Sequence, residues 1–353
     1  QNQQTATSLA SFFVYVINDY QLVTITNLLM EQTKSNAGAF VDAAKLQMDG
    51  GFRNITNNIA FELFSDGSAS RGQIGSGSAS GLTQTITLSN AQQIVAFEVG
   101  MLLVNFVNTA GTISAVSAQT MQITSVNRAT GVIVGTLSGA DASFSTAGNQ
   151  LGIAGDIVSG ATGTGSYLGL SGLAAWIPTA SPASTDSFWG VNRSADPTRL
   201  AGCRFDARAY TIEEGMTNAL AFLNREGGKP DLCIMDFASY AALVNALGAK
   251  VQYVQVKHDE VEVAFEGITF QSAYGRVTVL ADRSCPPQTA YLLTMSTWKL
   301  RSLGKVPHIL TYGMEGLEGL RVGSADALEI RIGYYGNLIC SAPGFNCVVQ
   351  LSA

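Results

Sequence analysis

Charged residues are scarce in this chain. Asp, Glu, Lys and Arg make up 13% of the 353 residues, about half the usual fraction in globular proteins. The 26 acidic and 20 basic residues leave a net charge of −6 and form no run of five like charges, so the basic footprint of a nucleic-acid-reading domain is missing. Such a surface either depends on Ser, Thr, Asn, Gln and Gly for solubility or is covered by other subunits, and we favour the second explanation.

Motifs of common catalytic sites are missing as well. The two histidines, His258 and His308, cannot supply a multi-histidine metal site, and neither has a partner in the sequence that would orient it as a general base. Neither a Gly-x-Ser-x-Gly motif nor a Gly-x-x-x-x-Gly-Lys-Ser/Thr motif occurs. Adjacent carboxylates such as Asp259 and Glu260 are better explained by a turn. We therefore expect no catalytic residue, no metal site, no cofactor and no enzymatic activity.

Disulfides and membrane helices are not expected either. The five cysteines are odd in number and widely spaced, in a chain long enough to form a core without cross-links, so they predict buried thiols in a reducing compartment. They are Cys203, Cys233, Cys285, Cys340 and Cys347. The apolar run Phe12–Ile17 is far shorter than the ~18 residues of a membrane helix. No Lys or Arg precedes Lys34, so the basic start of a secretory signal is missing, and we expect a processed or trimmed N-terminus.

Composition separates a middle region from its flanks. Residues 72–192 contain a single basic residue, Arg128. Two stretches rich in Gly, Ser and Thr, Gly67–Gly81 and Gly155–Gly172, predict flexible hinges around five short strands. We interpret these strands as a small closed or half-closed β-barrel inserted into a parent domain, with a separate β-domain on linkers as the alternative. The predicted strands are Gln84–Leu88, Ile94–Phe97, Met101–Val107, Met121–Asn127 and Val132–Leu137.

The first 71 residues predict an arm followed by helix. Residues 1–35 carry β-branched and aromatic residues with almost no charge, which indicates an extended arm with a short strand. From Phe40 to Leu63 the apolar residues recur at helical spacing. This spacing predicts one or two helices, broken near Gly50–Gly51 and stopped by Gly67.

The last third of the chain predicts an α+β body. Thr211-Ile-Glu-Glu214 has the pattern of a capping box, and the helix that follows ends at Gly227-Gly228. A buried strand from Leu232 and a helix capped by Asp236 come next. Further strands as far as Leu351 then place the helices on an antiparallel sheet.

Several segments of this chain resemble tailed-bacteriophage major capsid proteins. They are Phe188–Gly202, Asn224–Asp231, Asp236–Gly248, Ala281–Pro286, Trp298–Leu300 and Ala327–Tyr335. The resemblance covers about residues 40–80 and 165–353 and is weak across 83–160. It implies the Hong Kong ninety-seven-type capsid fold, an α+β fold with an N-terminal arm, an extended loop, a long spine helix, and peripheral and axial domains. The inserted β-barrel is additional to this minimal fold.

Laid on that plan, the chain has five parts. Residues 1–35 are the arm, 36–82 a helical segment and hinge of the peripheral region, 83–160 the inserted barrel, 161–210 the extended loop, and 211–353 the spine helix (Thr211–Arg225) with the peripheral and axial domains. Some members of the family join neighbouring subunits covalently through a lysine of the extended loop. Because residues 72–228 contain no lysine, no such bond is expected here.

The resemblance also implies a function. It implies a major capsid protein that self-assembles, in pentamers and hexamers, into the icosahedral head shell around the double-stranded DNA of a tailed phage. Scaffolding, portal and decoration proteins are the implied partners, the DNA is enclosed without sequence-specific binding, and no membrane is involved. The implied location is the virion, assembled in the bacterial host cytoplasm. An encapsulin-like nanocompartment shell and a secreted β-rich glycan-binding protein are the alternatives.

Four residues are candidates for an interface between subunits. Arg193, Asp196 and Arg199 are the first dense charges after the charge-poor middle region. We expect their segment to extend over an adjacent subunit, with the three side chains in ion pairs across the interface and Trp189 buried there as an aromatic anchor. In the alternative, Asp196-Pro197 begins a bend within the chain and the arginines cover their own body.

Overall fold

A computed structural model describes residues 10–28, 37–109, 112–114, 116–157, 169–247, 253–255, 266–272, 275–310, 320–321 and 326–352. The helices are α1 (Ala37–Glu62), α2 (Leu173–Trp176), α3 (Pro197–Ala201), α4 (Ile212–Arg225) and α5 (Phe237–Leu247). The strands are β1 (Ile17–Thr26), β2 (Gly72–Ser80), β3 (Thr83–Leu88), β4 (Leu102–Thr109), β5 (Thr112–Ser114), β6 (Met121–Asn127), β7 (Val132–Leu137), β8 (Gln150–Ile153), β9 (Cys203–Asp206), β10 (Leu232–Met235), β11 (Tyr253–Gln255), β12 (Glu266–Ser272), β13 (Gly275–Ala281), β14 (Thr289–Leu293), β15 (Trp298–Ser302), β16 (His308–Ile309), β17 (Leu320–Arg321), β18 (Ala327–Cys340) and β19 (Cys347–Gln350).

The first sheet joins the two ends of the chain. Strand β1 pairs antiparallel with β18 along its whole length, from Ile17 opposite Gly336 to Thr26 opposite Ala327. Strands β15, β16 and β17 also pair with β18. Helix α1 covers one face of this sheet, where Ile55 is buried against Val23 and Ile332. The predicted arm therefore carries a strand of the body sheet.

Helix α1 runs through Gly50 and Gly51 without a break, contrary to the sequence-based expectation. The reason is packing. A methyl group on Gly51 would lie 2.4 Å from Cγ2 of Val23 and 3.1 Å from Cδ1 of Ile332, so this glycine allows the helix to approach the sheet closely. Gly50 faces solvent, and nothing lies within 4 Å of the corresponding position.

The two glycines give a matched pair of substitutions. Gly51→Ala is expected to destabilise the folded chain by about 1–3 kcal/mol, because the methyl group forces helix and sheet apart. Gly50→Ala is expected to stabilise it by up to about 1 kcal/mol through helix propensity alone. Denaturant unfolding of the unassembled chain measures both free energies. Equal effects of the two substitutions would contradict the packing explanation.

The inserted β-unit is a closed barrel. Its strands follow the order β5-β4-β6-β7-β3-β2-β8, and β8 pairs back with β4, so six strands close around an apolar core. Its first and last strands are neighbours, with Gly72 opposite Leu151 and Gln73 opposite Gln150. Strands β6 and β7 form a hairpin, with Gly131 at φ +69° in the turn between them. Residues Ala91–Ala96 form a 3-10 helix capped by Asn90 instead of the expected strand.

The barrel begins earlier than expected, because β2 lies in the stretch interpreted as a hinge. Its glycines reflect close backbone contacts. A Cβ atom on Gly75 would lie 2.9 Å from Cα of Ser89, and one on Gly77 would lie 2.7 Å from Cα of Ser145. Glycine here allows strands and loops to approach each other, so the interpretation of residues 67–81 as flexible is wrong.

The second large sheet follows the order β11-β12-β13-β10-β14-β19-β9. Two of its pairs, β10 with β13 and β19 with β9, are parallel, so the sheet is mixed and not purely antiparallel as expected. Helices α4 and α5 pack on it through Met216, Leu223 and Leu243, each fully buried. All five cysteines are buried free thiols, as predicted.

Of the two helix caps predicted from the sequence for α4 and α5, the structure shows one. Asp236 accepts hydrogen bonds from the backbone N–H groups of Ala238 and Ser239 at 3.1 and 3.2 Å, as a helix cap should. Thr211 precedes α4, but its side chain makes no capping hydrogen bond, so the predicted capping box is wrong. The α+β class with an inserted β-barrel is confirmed.

Candidate assembly interface

An aromatic cluster holds the N-terminal arm against the segment that contains the predicted interface residues. The ring of Phe12 lies 5.2 Å from that of Trp176 and 6.2 Å from that of Phe188, and the last two rings lie 5.0 Å apart. The Trp176 indole also donates a hydrogen bond of 3.0 Å to the carbonyl oxygen of Leu338. The arm, helix α2 and strand β18 are thus fixed to one another.

Trp189 lies in a tight turn inside this cluster. Phe188 and Val191 form a β-bridge, and the two residues between them have positive φ angles, +49° for Trp189 and +82° for Gly190. These angles are those of a turn that reverses the chain within two residues. The Trp189 carbonyl accepts a hydrogen bond from the Phe13 amide at 3.0 Å. Trp189 is 4% exposed, so it is already buried within its own chain, and its role as an anchor against another subunit stays a prediction.

Arg193 is bound inside its own chain. Its guanidinium makes two hydrogen bonds to the Asp186 carboxylate, at 2.9 and 3.0 Å, and a third of 2.7 Å to the carbonyl oxygen of Ala175. It also stacks 4.0 Å above the Phe188 ring. Burial raises the pKa of Asp186, but the hydrogen bonds and charge of Arg193 outweigh it and hold that pKa below its ordinary value. Arg193 therefore has its ion pair within its own chain, as in the intrachain alternative, and a contact of Arg193 across an interface stays a prediction.

Asp196 and Arg199 lie on helix α3. The Asp196 carboxylate caps this helix by accepting a hydrogen bond of 3.1 Å from the Arg199 amide, and the two side chains form an exposed ion pair at 3.7 Å. Thus Asp196-Pro197 begins a local turn, as in the intrachain alternative. The Arg199 side chain remains 76% exposed and borders a cavity of about 160 Å³ together with Glu226 and Phe345.

Residues 169–210 differ from the extended loop expected there. Leu170, Trp176 and Ile177 are fully buried, and helices α2 and α3 shorten the path of the chain. The segment packs on its own body because its apolar residues fill the space between the two body sheets. Helix α4, expected to be the long spine helix, has 14 residues, whereas α1 has 26.

A buried group of ionisable side chains lies where the arm, helix α1 and the barrel meet. At its centre Glu62, 6% exposed, accepts a hydrogen bond of 2.8 Å from the Tyr334 hydroxyl and one of 3.4 Å from the Leu170 amide. The residues that interact with it electrostatically are Asp19 of β1, Asp156 after β8 and Arg71 before β2. We call Glu62, Asp19, Asp156, Arg71 and Tyr334 the junction cluster.

The junction cluster contains three carboxyl groups but only one cation, Arg71. Its carboxyl groups therefore bind protons more tightly than exposed carboxyl groups do, and their pKa values are raised. Burial, with the nearby charge of Asp19, raises the pKa of Glu62 to about 7. Burial and the same charge raise the pKa of Asp156 to about 6. Burial also raises the pKa of Asp19. At neutral pH the junction therefore holds carboxyl groups that are in part protonated.

Glu98 forms a second link between barrel and body. It lies 2.9 Å from Arg128, the single basic residue of the middle region, and 3.8 Å from Arg283 of the body. Arg283 also donates a hydrogen bond of 2.9 Å to the Val95 carbonyl. Two separate contacts, this one and the junction cluster, thus hold the barrel in place.

The described residues contain no cluster of three His, Cys, Asp or Glu side chains that could hold a metal ion. His308 is half-buried, and its Nδ1 lies 2.7 Å from the Lys305 carbonyl oxygen. His258 lies outside the described residues.

Within the same described ranges, no helix is both long and apolar enough to cross a membrane.

One family model matches part of this chain. Residues 155–311 match the family model described as SU10 major capsid protein. The match supports a tailed-phage major capsid protein. It confirms the resemblance found in the sequence, and it spans the whole segment with Trp189, Arg193, Asp196 and Arg199. It also favours a phage capsid over an encapsulin shell.

The solved structures that this chain resembles include chains of phage capsids and of an encapsulin. A chain of the cyanophage A-1(L) capsid is 14% identical, with a TM-score of 0.36, over 52% of this chain and 59% of that one. A chain from the phage G major capsid and decoration proteins is 10% identical, with a TM-score of 0.28, over 42% and 51%. The encapsulin of Synechococcus elongatus is 13% identical, with a TM-score of 0.29, over 42% and 52%. The matched region is thus little more than half of each solved chain. No curated protein matches.

The α+β class with an inserted β-barrel, predicted from the sequence, is observed in the structure, and the match to a major capsid family model agrees with the Hong Kong ninety-seven-type capsid fold that the resemblance implies. The match of residues 155–311 to a major capsid family model supports a structural role. The junction cluster was missed by sequence reasoning because its members are separated by up to 315 positions. A weak signal existed in Glu62 and Arg71, two opposite charges close together in the sequence between the predicted helix and the charge-poor middle region.

Proposed function

We propose that this chain self-assembles through many copies into a closed icosahedral head shell around double-stranded DNA. The match to the major capsid family carries this proposal. Its geometry would be rings of five and six copies that reuse one set of contacts. Scaffolding, portal and decoration proteins, and assembly in the host cytoplasm, belong to the same proposal.

The exposed surface supports self-association. Large apolar side chains of the described residues are exposed, including Phe13, Tyr15 and Leu22, which are 66%, 69% and 45% exposed. Exposed apolar area of this kind, with few charges, is typical of a surface that other subunits cover.

The direct test is electron microscopy of the purified chain, alone and with a scaffolding partner. Closed particles of uniform size are the expected result. A persistent monomer under both conditions would contradict the proposal and favour the β-rich binding protein.

Arg199 is the one predicted charged interface residue whose side chain is still free to reach a neighbour. Arg199→Ala should change the unfolding free energy of the single chain by less than about 1 kcal/mol, because its pair with Asp196 is exposed. We expect it nevertheless to lower the yield or heat stability of particles, since a desolvated contact is lost at every copy. Asp196→Ala is a poorer probe, because it also removes the cap of α3.

Arg208→Ala is the matched control for Arg199→Ala. Arg208 is also an exposed arginine paired within the chain, to Asp206 at 2.6 Å. Particle yield and melting temperature, measured for both variants, decide the question. Normal particles from Arg199→Ala would remove Arg199 from the interface.

A further inference from the structure

The junction cluster lies where the barrel is connected to the body. Arg71 comes directly before β2, the first strand of the barrel, and Asp156 follows β8, the last. The other members belong to the body: Asp19 to β1, Glu62 to the end of α1 and Tyr334 to β18. Both connections of the barrel, and three elements of the body beside them, thus each carry one ionisable side chain that faces the others.

The backbone around Glu62 is tightly packed. The Leu173 amide donates a hydrogen bond of 2.7 Å to the Leu63 carbonyl oxygen. A Cβ atom on Gly172 would lie 2.3 Å from the Glu62 carbonyl oxygen, so the segment 169–173 lies directly on the end of α1. This segment has no charged side chain. It therefore excludes water from Glu62 without supplying a counter-charge.

The hydrogen bonds of Glu62 fit a neutral carboxyl group. The Tyr334 hydroxyl and the Leu170 amide both donate to the same oxygen, Oε2, at 2.8 and 3.4 Å. The carbonyl oxygen of a neutral carboxyl group can accept two hydrogen bonds while its other oxygen carries the proton. In neighbouring β1, the buried Oδ2 atom of Asp19 has no hydrogen-bond partner among the described residues. A charge on such an atom is costly.

The cluster has little room for water. Glu62, Arg71 and Asp156 line one cavity of about 20 Å³, which holds about one water molecule. The single cation, Arg71, can balance one ionised carboxylate. Ionisation of all three carboxyl groups would leave two negative charges uncompensated in a site that cannot hydrate them.

We propose that the junction cluster controls the attachment of the barrel: neutral carboxyl groups hold the barrel against the body, and their ionisation releases it. Repulsion between the carboxylates, and their need for water, would separate Asp156 from Glu62 and Asp19. Because Asp156 lies on a connection of the barrel and the other two lie in the body, this separation moves the barrel as a unit. The barrel stays folded, since its strands close around their own apolar core. This inference concerns the single chain and does not depend on the proposed assembly.

The other contacts of the barrel with the body do not change with the state of the cluster. Glu98 and Arg283 lie 3.8 Å apart with about half of each side chain exposed, so their pair contributes little. Phe61 of α1 packs against the barrel core and favours attachment at every pH. The carboxyl groups of the junction cluster thus supply the part that depends on protons.

The pH range follows from the sign of the shifts. The pKa values of Glu62 and Asp156 are raised in the folded chain, to about 7 and about 6, so the neutral forms favour the attached state. Attachment is therefore complete at low pH and is lost as the pH rises through about 6 to 7.

Distances between spin labels measure the attachment. One label is placed on Ala129→Cys in the β6–β7 hairpin of the barrel and the other on Ala221→Cys of α4, both at exposed positions, while the five native thiols are buried. Electron paramagnetic resonance of the unassembled chain is expected to give a narrow distance distribution at pH 5 and one at least about twice as wide at pH 8. The pair Ser80→Cys with Ala129→Cys lies within the barrel. It should give the same distribution at both pH values.

Two variants assign the effect to the cluster. Glu62→Gln combined with Asp156→Asn keeps the shape of both side chains but removes their ionisation, so the distribution between barrel and body should stay narrow at pH 8. Glu98→Gln removes a carboxylate from the other contact of the barrel with the body. It is the matched control and should leave the pH dependence unchanged.

Equal widths at pH 5 and pH 8 in the unaltered chain would overturn the proposal. So would broadening of the pair within the barrel, which would show unfolding instead of release. A pH dependence that persists in the combined variant, or that disappears in Glu98→Gln, would also overturn it. If circular dichroism shows that the combined variant is unfolded, Glu62→Gln alone decides the question, because it must then narrow the distribution at pH 8.

Discussion

Arg193→Ala is expected to destabilise the single chain by about 3–5 kcal/mol, as is typical when one partner of a buried ion pair is removed. The guanidinium makes two bonds to Asp186, one to the Ala175 carbonyl and a stacking contact with Phe188. Without it a carboxylate that is 16% exposed has lost its counter-charge. Denaturant unfolding of the unassembled chain, followed by tryptophan fluorescence, measures the loss.

Two variants make this prediction specific. Arg193→Lys keeps the charge but cannot make the paired bonds, so it should recover only part of the stability. Arg199→Ala removes an exposed arginine six positions away and should cost less than about 1 kcal/mol. If Arg193→Ala and Arg199→Ala destabilised the chain equally, Arg193 would not have the role that its contacts indicate.

The stability of the single chain is expected to fall as the pH rises from about 4.5 to about 7. The pKa of Glu62 is about 7 in the folded chain, whereas the ordinary value, taken for the unfolded chain, is 4.5. The folded state therefore binds the proton more tightly than the unfolded state. Its stabilising contribution is complete below pH 4.5 and is lost as the pH rises through 7, on the order of 3 kcal/mol. Asp156, with a pKa of about 6, acts in the same direction.

Glu62→Gln isolates this effect. The amide cannot ionise but can still accept the Tyr334 hydrogen bond, so the variant should show a flatter dependence of unfolding free energy on pH and exceed the unaltered chain at pH 8. Glu98→Gln, a change at a half-exposed carboxylate, is the control. Asp186 acts in the opposite direction, but only below its ordinary pKa of 3.8. An unchanged pH dependence in Glu62→Gln would rule out Glu62 as its source.

The elements of this fold were more predictable than their packing. Alternation and turn residues gave Met121–Asn127 and Val132–Leu137 with the observed bounds, because a strand with one buried face leaves a local signal. Two predictions that rested on glycine were wrong: the helix break at Gly51 and the flexible hinge in the stretch that forms β2. In both places glycine allows a close approach between elements distant in sequence, which local composition cannot distinguish from flexibility.

The partners of the predicted interface residues within the chain depend on packing for a related reason. The sequence shows that charges are unusually dense around Arg193 and Asp196. Whether their partners lie in the same chain or in a neighbouring subunit depends on three-dimensional contacts, which the sequence does not show. Asp186 lies only seven positions before Arg193, and the turn at Trp189 and Gly190 brings them together. Arg199, which the same segment leaves exposed, stays a predicted interface residue.

The barrel leaves the body and returns to it at one place, since Gly72 and Leu151 are opposite each other in adjacent strands. The two ends of the 78 intervening residues lie side by side. For the rest of the chain, these residues therefore connect two neighbouring points, as a short loop would. Another domain with adjacent termini could replace them without moving helix α1 or the segment after residue 168. In the proposed shell, such an exchange would alter the surface of every copy at the same position.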